Sequence, residues 1–399
     1  MVPAFDPMKF ARLLTFGGLV AALPLRAVYA PLPEQNLGKE WTVALRVGVS
    51  HDSNIFGAQS GAIGSMVYEA SPRIGFAGSL SDQTFAECAY ELTVDHYADR
   101  PGEKTLDSHE FSARLAHAFN STTNVDLSDQ YDIAKNPESL LAGLPVNTDQ
   151  SYKRNQLDAR FAASPVPKFG AVVKFRSVNF DYDNATLADS LNRTENLYGL
   201  EGTYEVVPEM KAVAEYRHED INYQTDGSTK DKNTDFAMGG VDYAVAKKFS
   251  FSGRLGGEWR NRSSEANTTA PYAEFSAKYD YAERSFLAAG YVYTFEETSN
   301  IAKYDDTHVN RFFVNLQHAF SALIVGSASV TYEPSLLIGR RGISGDVNET
   351  TVRVGLALTW LPTEHWAVSA SYDRDDVNSD DPARGQERDR VGVSAGYTF

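Results

Sequence analysis

From residue 40 onward, apolar and polar side chains take turns one by one. Trp41, Val43, Leu45, Val47 and Val49 alternate with Thr42, Ala44, Arg46, Gly48 and Ser50. A period of two is that of a strand, which sends successive side chains to opposite faces. The pattern returns with Tyr68, Ala70, Pro72, Ile74 and Phe76 against Glu69, Ser71, Arg73 and Gly75, where Pro72 removes a ladder donor and predicts a bulge. It returns again with Ala86, Cys88, Tyr90, Leu92 and Val94 against Glu87, Glu91, Thr93 and Asp95. Later segments are more regular: Phe249 to Arg260, Ala273 to Tyr281 and Val352 to Trp360. The chain ends on Val391, Val393, Ala395, Tyr397 and Phe399, separated by Gly392, Ser394, Gly396 and Thr398.

The second face of these strands carries full-length charges again and again. A packed core does not accept so many, because each unpaired buried charge is costly. Water on that side and an apolar phase on the other explain both faces. The connections carry the same message. Short links near 78–82, 120–122, 164–168, 207–209, 246–248, 282–284, 321–322 and 361–365 alternate with longer polar links. The long ones fall near 52–65, 99–105, 133–150, 183–192, 224–231, 261–269, 298–307, 337–346 and 377–386. The predicted fold is all-β: a transmembrane, antiparallel, up-and-down barrel of about 18 strands over residues 41–399. The count falls to 16 if one of the less regular pairs, around 183–223 or 364–399, is misread. A propeller or β-helix would bury both faces of its inner strands and repeat a motif, and no such repeat is present.

Composition adds three points. Mean hydropathy is −0.35, yet a barrel escapes hydropathy scans because only alternate residues meet lipid. The aromatic set is dominated by 21 Tyr and 22 Phe, the residues of strands and interfacial girdles. A net charge of −16 argues against nucleic acid as a partner. At the start, Lys9 and Arg12 precede the apolar run Leu13 to Leu23, and Val28-Tyr29-Ala30 supplies small residues at a cleavage position. Residues 1–30 are therefore expected to be a secretory signal peptide, followed by a short periplasmic segment, 31–40. The one cysteine, Cys88, has no internal partner for a disulfide.

The terminal aromatic strand resembles the closing strand of bacterial outer-membrane barrels. With the leader, the strand pattern and an opening strand that runs into His51-Asp52-Ser53-Asn54-Ile55-Phe56, the chain resembles the β-barrel porin families of bacterial outer membranes. The resemblance covers nearly the whole mature chain in architecture but is thin residue by residue. It implies that Val391, Val393, Ala395, Tyr397 and Phe399 form the signal read by the outer-membrane assembly machinery. It also implies contact with outer-membrane lipid and lipopolysaccharide, and a pore or export function. A homo-oligomer stays open.

A porin-like channel for small polar or ionic solutes, with weak cation preference from the acidic composition, is the leading expectation. A plugged or dedicated export barrel linked to polysaccharide secretion, or a structural or adhesive barrel, is the alternative. The candidate pore-lining residues are Arg46, Arg73, Glu87, Glu91, Arg114, Asp158, Arg160, Glu215, Arg217, Glu219, Arg254, Glu258, Arg260, Lys278 and Arg353. They could equally be solvated or mutually paired wall residues. The longest link, Ile133 to Gln150, carries Leu140, Leu141, Leu144 and Val146, and could fold inward, latch to a neighbouring subunit or pack on itself. Asp373 to Asp381 reads as an acidic link that could hold a divalent cation or bridge lipopolysaccharide through one, but its spacing fits no EF-hand loop, so a solvated charge run is the simpler reading. No catalytic residues, cofactor or metal are expected. HExxH does not occur, and the GxSxG at Gly392 to Gly396 lies inside the alternating terminal strand rather than on the strand-to-helix turn that motif needs. His51, Asp52 and Ser53 are merely adjacent, and His117 and His318 fall on apolar faces near short turns.

Overall fold

The computed structural model describes residues 40–399 apart from 136, 138–139, 142–143, 145–147, 246–247, 264–266, 299 and 301. The leader and nearly all of the segment to residue 40 lie outside these residues, as do Val146 and most of the 246–248 link. The strands in chain order are β1 (Trp41–Asp52), β2 (Ser65–Ser81), β3 (Thr84–Tyr97), β4 (Thr105–Asn120), β5 (Thr123–Ala134) and β6 (Tyr152–Val166). Then come β7 (Phe169–Tyr182), β8 (Arg193–Val207), β9 (Met210–Tyr223), β10 (Lys232–Val245), β11 (Phe249–Arg262) and β12 (Thr268–Ala282). The last six are β13 (Ser285–Glu296), β14 (Tyr304–Ala319), β15 (Ile324–Gly339), β16 (Val347–Trp360), β17 (Trp366–Ser379) and β18 (Gln386–Thr398). Each pairs antiparallel with its sequence neighbours, and β1 pairs with both β2 and β18. The 18-stranded sheet is thereby closed, with no free edge.

The outer face is apolar. Trp41, Val43, Leu45, Val47 and Val49 are all exposed on it, as are Val391, Val393 and Phe399 of the closing strand. Exposure of this size on a soluble surface would be a liability; against hydrocarbon it is the stable arrangement. Aromatic rings border the band. Near the short turns, Trp41 meets Phe76 at 5.2 Å, Phe169 meets Tyr204 at 4.8 Å and Trp366 meets Tyr397 at 5.0 Å between centroids. Further up, Tyr90 meets Phe111 at 4.5 Å and Tyr291 meets Phe312 at 4.7 Å. Trp41 to Val49, which lies opposite Tyr68, spans about 26 Å at about 3.3 Å per residue. At the usual barrel tilt that is about 20 Å of height, close to the apolar band of an outer-membrane barrel.

Three features differ from the sequence expectation. Pro72 makes no bulge: Leu45↔Pro72 sits in an unshifted ladder with β1, and the β3 ladder keeps one register from Ala70↔Val94 to Arg73↔Glu91. The missing N–H is accommodated by a lapse in pairing rather than by an inserted residue. The links at 183–192 and 224–231 hold short helices, α1 (Ala185–Leu191) and α2 (Gly227–Lys230). Asn184 caps α1 by accepting from the N–H groups of Thr186 and Leu187, and Leu187 and Leu191 are buried. Finally, the run Asp373 to Asp381 is mostly strand, not link. Alternation therefore sends Asp373 and Asp375 inward and Asp376 outward, so its carboxylates do not converge.

Candidate functional site

The registers place each of the charged candidates on the face opposite the lipid-facing row. Ala44 lies beside Arg73 and Arg46 beside Ser71, Glu87 beside Arg114, and Asp158 beside Arg176. On the far wall Glu215 lies beside Met238, Arg217 beside Phe236, Arg254 beside Glu274 and Lys278 beside Ala288. Glu219, Glu258, Arg260 and Arg353 share this inner face through Thr234, Phe236 and Asp375. The candidates do not form one cluster; the structure gathers them into groups and leaves Lys278 and Arg353 apart, with Asp280 at 2.8 Å and Asp375 at 3.8 Å.

One group is a row across five strands. Arg73, Glu91, Glu110, Asp132 and Arg154 are successive ladder partners on β2 to β6. Three carboxylates thus stand side by side between two guanidinium groups. Arg73 reaches Glu91 at 3.4 Å and Arg154 reaches Asp132 at 3.5 Å, while Glu110 has no hydrogen bond or ion pair among the described residues. The neighbouring inner-face carboxylates Glu87, Asp95 and Asp126 make the β3 to β5 wall acidic, with Arg114 bound to Asp126 at 2.9 Å from Nε. Arg160 extends from β6 toward the Asn124 amide oxygen at 3.4 Å.

A second group fills a corner. Phe236, Met238 and Tyr272 form a buried cluster on the inner faces of β10 and β12. Around it Lys174 donates to Glu201 (2.7 Å) and Glu215 (2.9 Å), and Arg217 donates to Glu215 at 2.8 Å and to the Tyr272 hydroxyl at 3.2 Å. Arg254 donates to Asp242 at 2.8 Å. Burial of these ions is tolerated because each one is paired. The corner exists because Gly240 and Gly256 lack side chains. A Cβ on either would fall inside the neighbouring strand's backbone, at the Gly253 and Ala237 carbonyl oxygens respectively.

A third group lies at the end that carries the long links. Arg260 donates to Asp306 (2.7 Å) and Glu297 (3.4 Å), and Lys232 lies 3.0 Å from Glu297. Glu258 accepts from the Phe295 N–H at 3.0 Å. Burial works to raise the carboxyl pKa of Glu297, in the link after β13, but Lys232, Arg260 and Arg193 outweigh it and hold the group down at about 2.

The opening motif is a clasp. Arg388 of β18 donates to Asp52 from Nε (3.0 Å) and Nη2 (2.7 Å), and each side chain is 4% exposed. Ser53 donates its N–H to the Asp389 carbonyl (2.9 Å), and the Asp389 N–H returns to Ser53 Oγ (2.8 Å). Asn54 Nδ2 donates to the carbonyls of Ala58 and Glu387, both at 2.8 Å, and its Oδ1 accepts from the Ala58 N–H. Thus anchored, the link turns inward: Ile55 is buried with Val67, Tyr97 and Leu106, and Phe56 and Ile63 pack on them. Gly57, at φ 60°, lies against Leu140 of the longest link. Among the described residues, the link after β1 seats hydrophobic side chains on the inner wall, and Leu140 of the 133–150 link packs against that link.

Sequence reading missed Glu110, Asp132, Arg154, Lys174, Glu201 and Asp242. The signal was present, since each shares parity with a chosen residue on its own or the facing strand, such as Glu110 with Arg114.

No protein-family model matches the chain, and no curated protein does. Among solved structures the chain is similar to Acinetobacter baumannii OccAB4, at 11% identity and TM-score 0.48, over 92% of this chain and 100% of that one. Pseudomonas aeruginosa OccK2 matches at 10% identity and TM-score 0.49, over 90% and 98%. The FrpB iron transporter of Neisseria meningitidis (F3-3 variant) matches at 11% and 0.44, over 86% of this chain. This chain spans 62% of the FrpB length.

Proposed function

We propose that the chain is an outer-membrane channel through which small polar or ionic solutes diffuse. The observation that carries this reading is the division of one closed sheet between two solvents: an apolar, aromatic-bordered outer face and a charged inner face. Barrels of 16 to 18 strands are wide enough for an aqueous path. The candidate pore-lining residues act here as the wall of that path. The link 53–64, folded inward on its clasp, narrows the mouth. The outward row Val391, Val393, Ala395, Tyr397 and Phe399 supports a role as the signal read by the assembly machinery.

Single-channel recording of the refolded chain Pro31 to Phe399 in planar bilayers tests the reading. Discrete conductance steps are expected, and a folded barrel that carries no current refutes it. Replacing residues 55–63 by a short Gly-Ser linker, with Asp52 to Asn54 kept, is expected to raise unit conductance on the order of twofold by removing the constriction. Unchanged conductance would place the narrowing elsewhere.

The acidic wall of β3 to β5 supplies weak cation preference. A carboxylate acts on a cation at about 4 Å in water with about 1 kcal/mol, roughly a fivefold change in local concentration. The triple change Glu91→Gln, Glu110→Gln, Asp132→Asn is therefore expected to lower the potassium-to-chloride permeability ratio severalfold, read from reversal potentials under a salt gradient. A ratio that does not move would remove this row from the ion path.

A further inference from the structure

At the end of the barrel that carries the short turns, a cavity of about 330 Å³ opens between Ser121 and Thr122 of the β4–β5 turn and the inner faces of β6 to β12. Its buried charged groups are committed to one another, whereas Lys211, also in the lining, is exposed and has no ion pair among the described residues. Lys174 holds Glu201 and Glu215, Arg217 holds Glu215, and Arg254 and Ser252 both donate to Asp242 at 2.8 Å. Glu215 and Arg217 are 4% and 5% exposed. At these pairs, a charged group on a solute would have to draw one partner out and leave the other buried without compensation.

The hydroxyls are in the opposite condition. Among the described residues, the side chains of Thr203 and Ser164 hydrogen-bond to no protein atom, although both line the cavity. Gly170 lies between them. A Cβ there would come within 2.6 Å of Thr203 Oγ1 and 3.4 Å of Ser164 Oγ. Its absence leaves both hydroxyls facing open volume, where each can donate once and accept twice. No aromatic ring lines the cavity, so recognition by stacking is not what the wall provides. The volume equals about eleven water molecules at about 30 Å³ each, room for a molecule of about a dozen heavy atoms.

We propose that this cavity binds one uncharged, polyhydroxylated solute of hexose size through the free hydroxyls of Thr203 and Ser164. The proposal rests on the channel reading for the route by which the solute arrives. Vicinal hydroxyls match the wall: they donate to the outer lone pairs of carboxylates that stay paired, accept from lysine and guanidinium N–H groups, and exchange with Thr203 and Ser164 without displacing an ion pair.

Equilibrium dialysis of labelled glucose against the detergent-solubilised mature barrel tests this independently of conduction. One saturable site per chain is expected. Thr203→Val and Gly170→Ala should each weaken it at least tenfold in barrels that still show the folded, heat-modifiable electrophoretic form, and Thr203→Ser should restore it. Glucuronate and glucosamine should compete at least tenfold less well than glucose. Absence of saturable glucose binding overturns the proposal, as does full binding by Thr203→Val. Glucuronate competing better than glucose overturns it as well, by showing that the cavity reads charge. A barrel that binds glucose but passes no current refutes the channel and leaves the site; a conducting barrel that binds none does the reverse.

Discussion

Gly240→Val and Gly256→Val are each expected to abolish the folded barrel. Both glycines face inward at the β10–β11 bend, in the pairs Gly240↔Arg254 and Met238↔Gly256. A Cβ on Gly240 would also lie 2.8 Å from Arg254 Cδ, and one on Gly256 2.7 Å from Met238 Cα. The obstruction is backbone of the adjacent strand, which cannot yield without parting the ladder. The cost should therefore exceed the about 1–3 kcal/mol of ordinary overpacking. Gly239 provides the internal control. It is one residue away but on the outer face, and the neighbouring atom nearest a Cβ there is the Val213 carbonyl oxygen at 3.8 Å. Gly239→Ala should fold as well as the parent or better, since glycine in a strand interior is a weakness. The measurement is the fraction of heat-modifiable band after refolding. Equal yields for Gly239→Ala and Gly240→Val would mean that the bend is not required.

That corner marks the limit of what the amino-acid pattern reveals. Alternation is a local property, and it was sufficient for the fold: from Trp41 to Val49 and from Val391 to Phe399, parity alone separates the outer row from the inner one. Alternating short and long links then gave strand number and closure. Curvature is not local. Parity places the glycines at 240 and 256 inward and those at 239, 253 and 257 outward, but nothing in the pattern shows that only the inward pair sits where a Cβ would fall inside the facing strand's backbone. The inner-face partners were hidden for a related reason. Lys174 and Glu215 are 41 residues apart, and only register across β7, β8 and β9 brings them to 2.9 Å. The Asp-Ser-Asn motif after β1 was visible as a motif, but its partner Arg388 lies 336 residues away, across the seam. Reading Asp373 to Asp381 as a link failed because the strand signal there is carried by Tyr372 and Val377 alone, with charges between them on both faces.

The seam provides the second large effect. Arg388→Leu is expected to destabilise the barrel by about 3–5 kcal/mol, because it leaves Asp52 buried with its charge uncompensated. The Asn54 N–H, at 2.9 Å from Asp52 Oδ1, softens the loss but cannot neutralise it. Asp52→Leu should cost a similar amount through the orphaned guanidinium. The double change Asp52→Leu, Arg388→Leu should recover most of the loss, since a buried ion pair is often exchanged for apolar side chains at little cost. A double-mutant cycle on urea midpoints of the detergent-folded barrel isolates the coupling. The two outcomes divide cleanly. Strong coupling makes the first and last strands interdependent at the long-link end, where the same segment holds Asn54 and seats Ile55 on the inner wall, so the single variants should also loosen the 53–64 link and make single-channel current noisier. Single variants that each cost under about 1 kcal/mol would show that water reaches the pair, as at an exposed ion pair, and that closure is held by the Ala44↔Thr398 to Asp52↔Arg390 ladder instead.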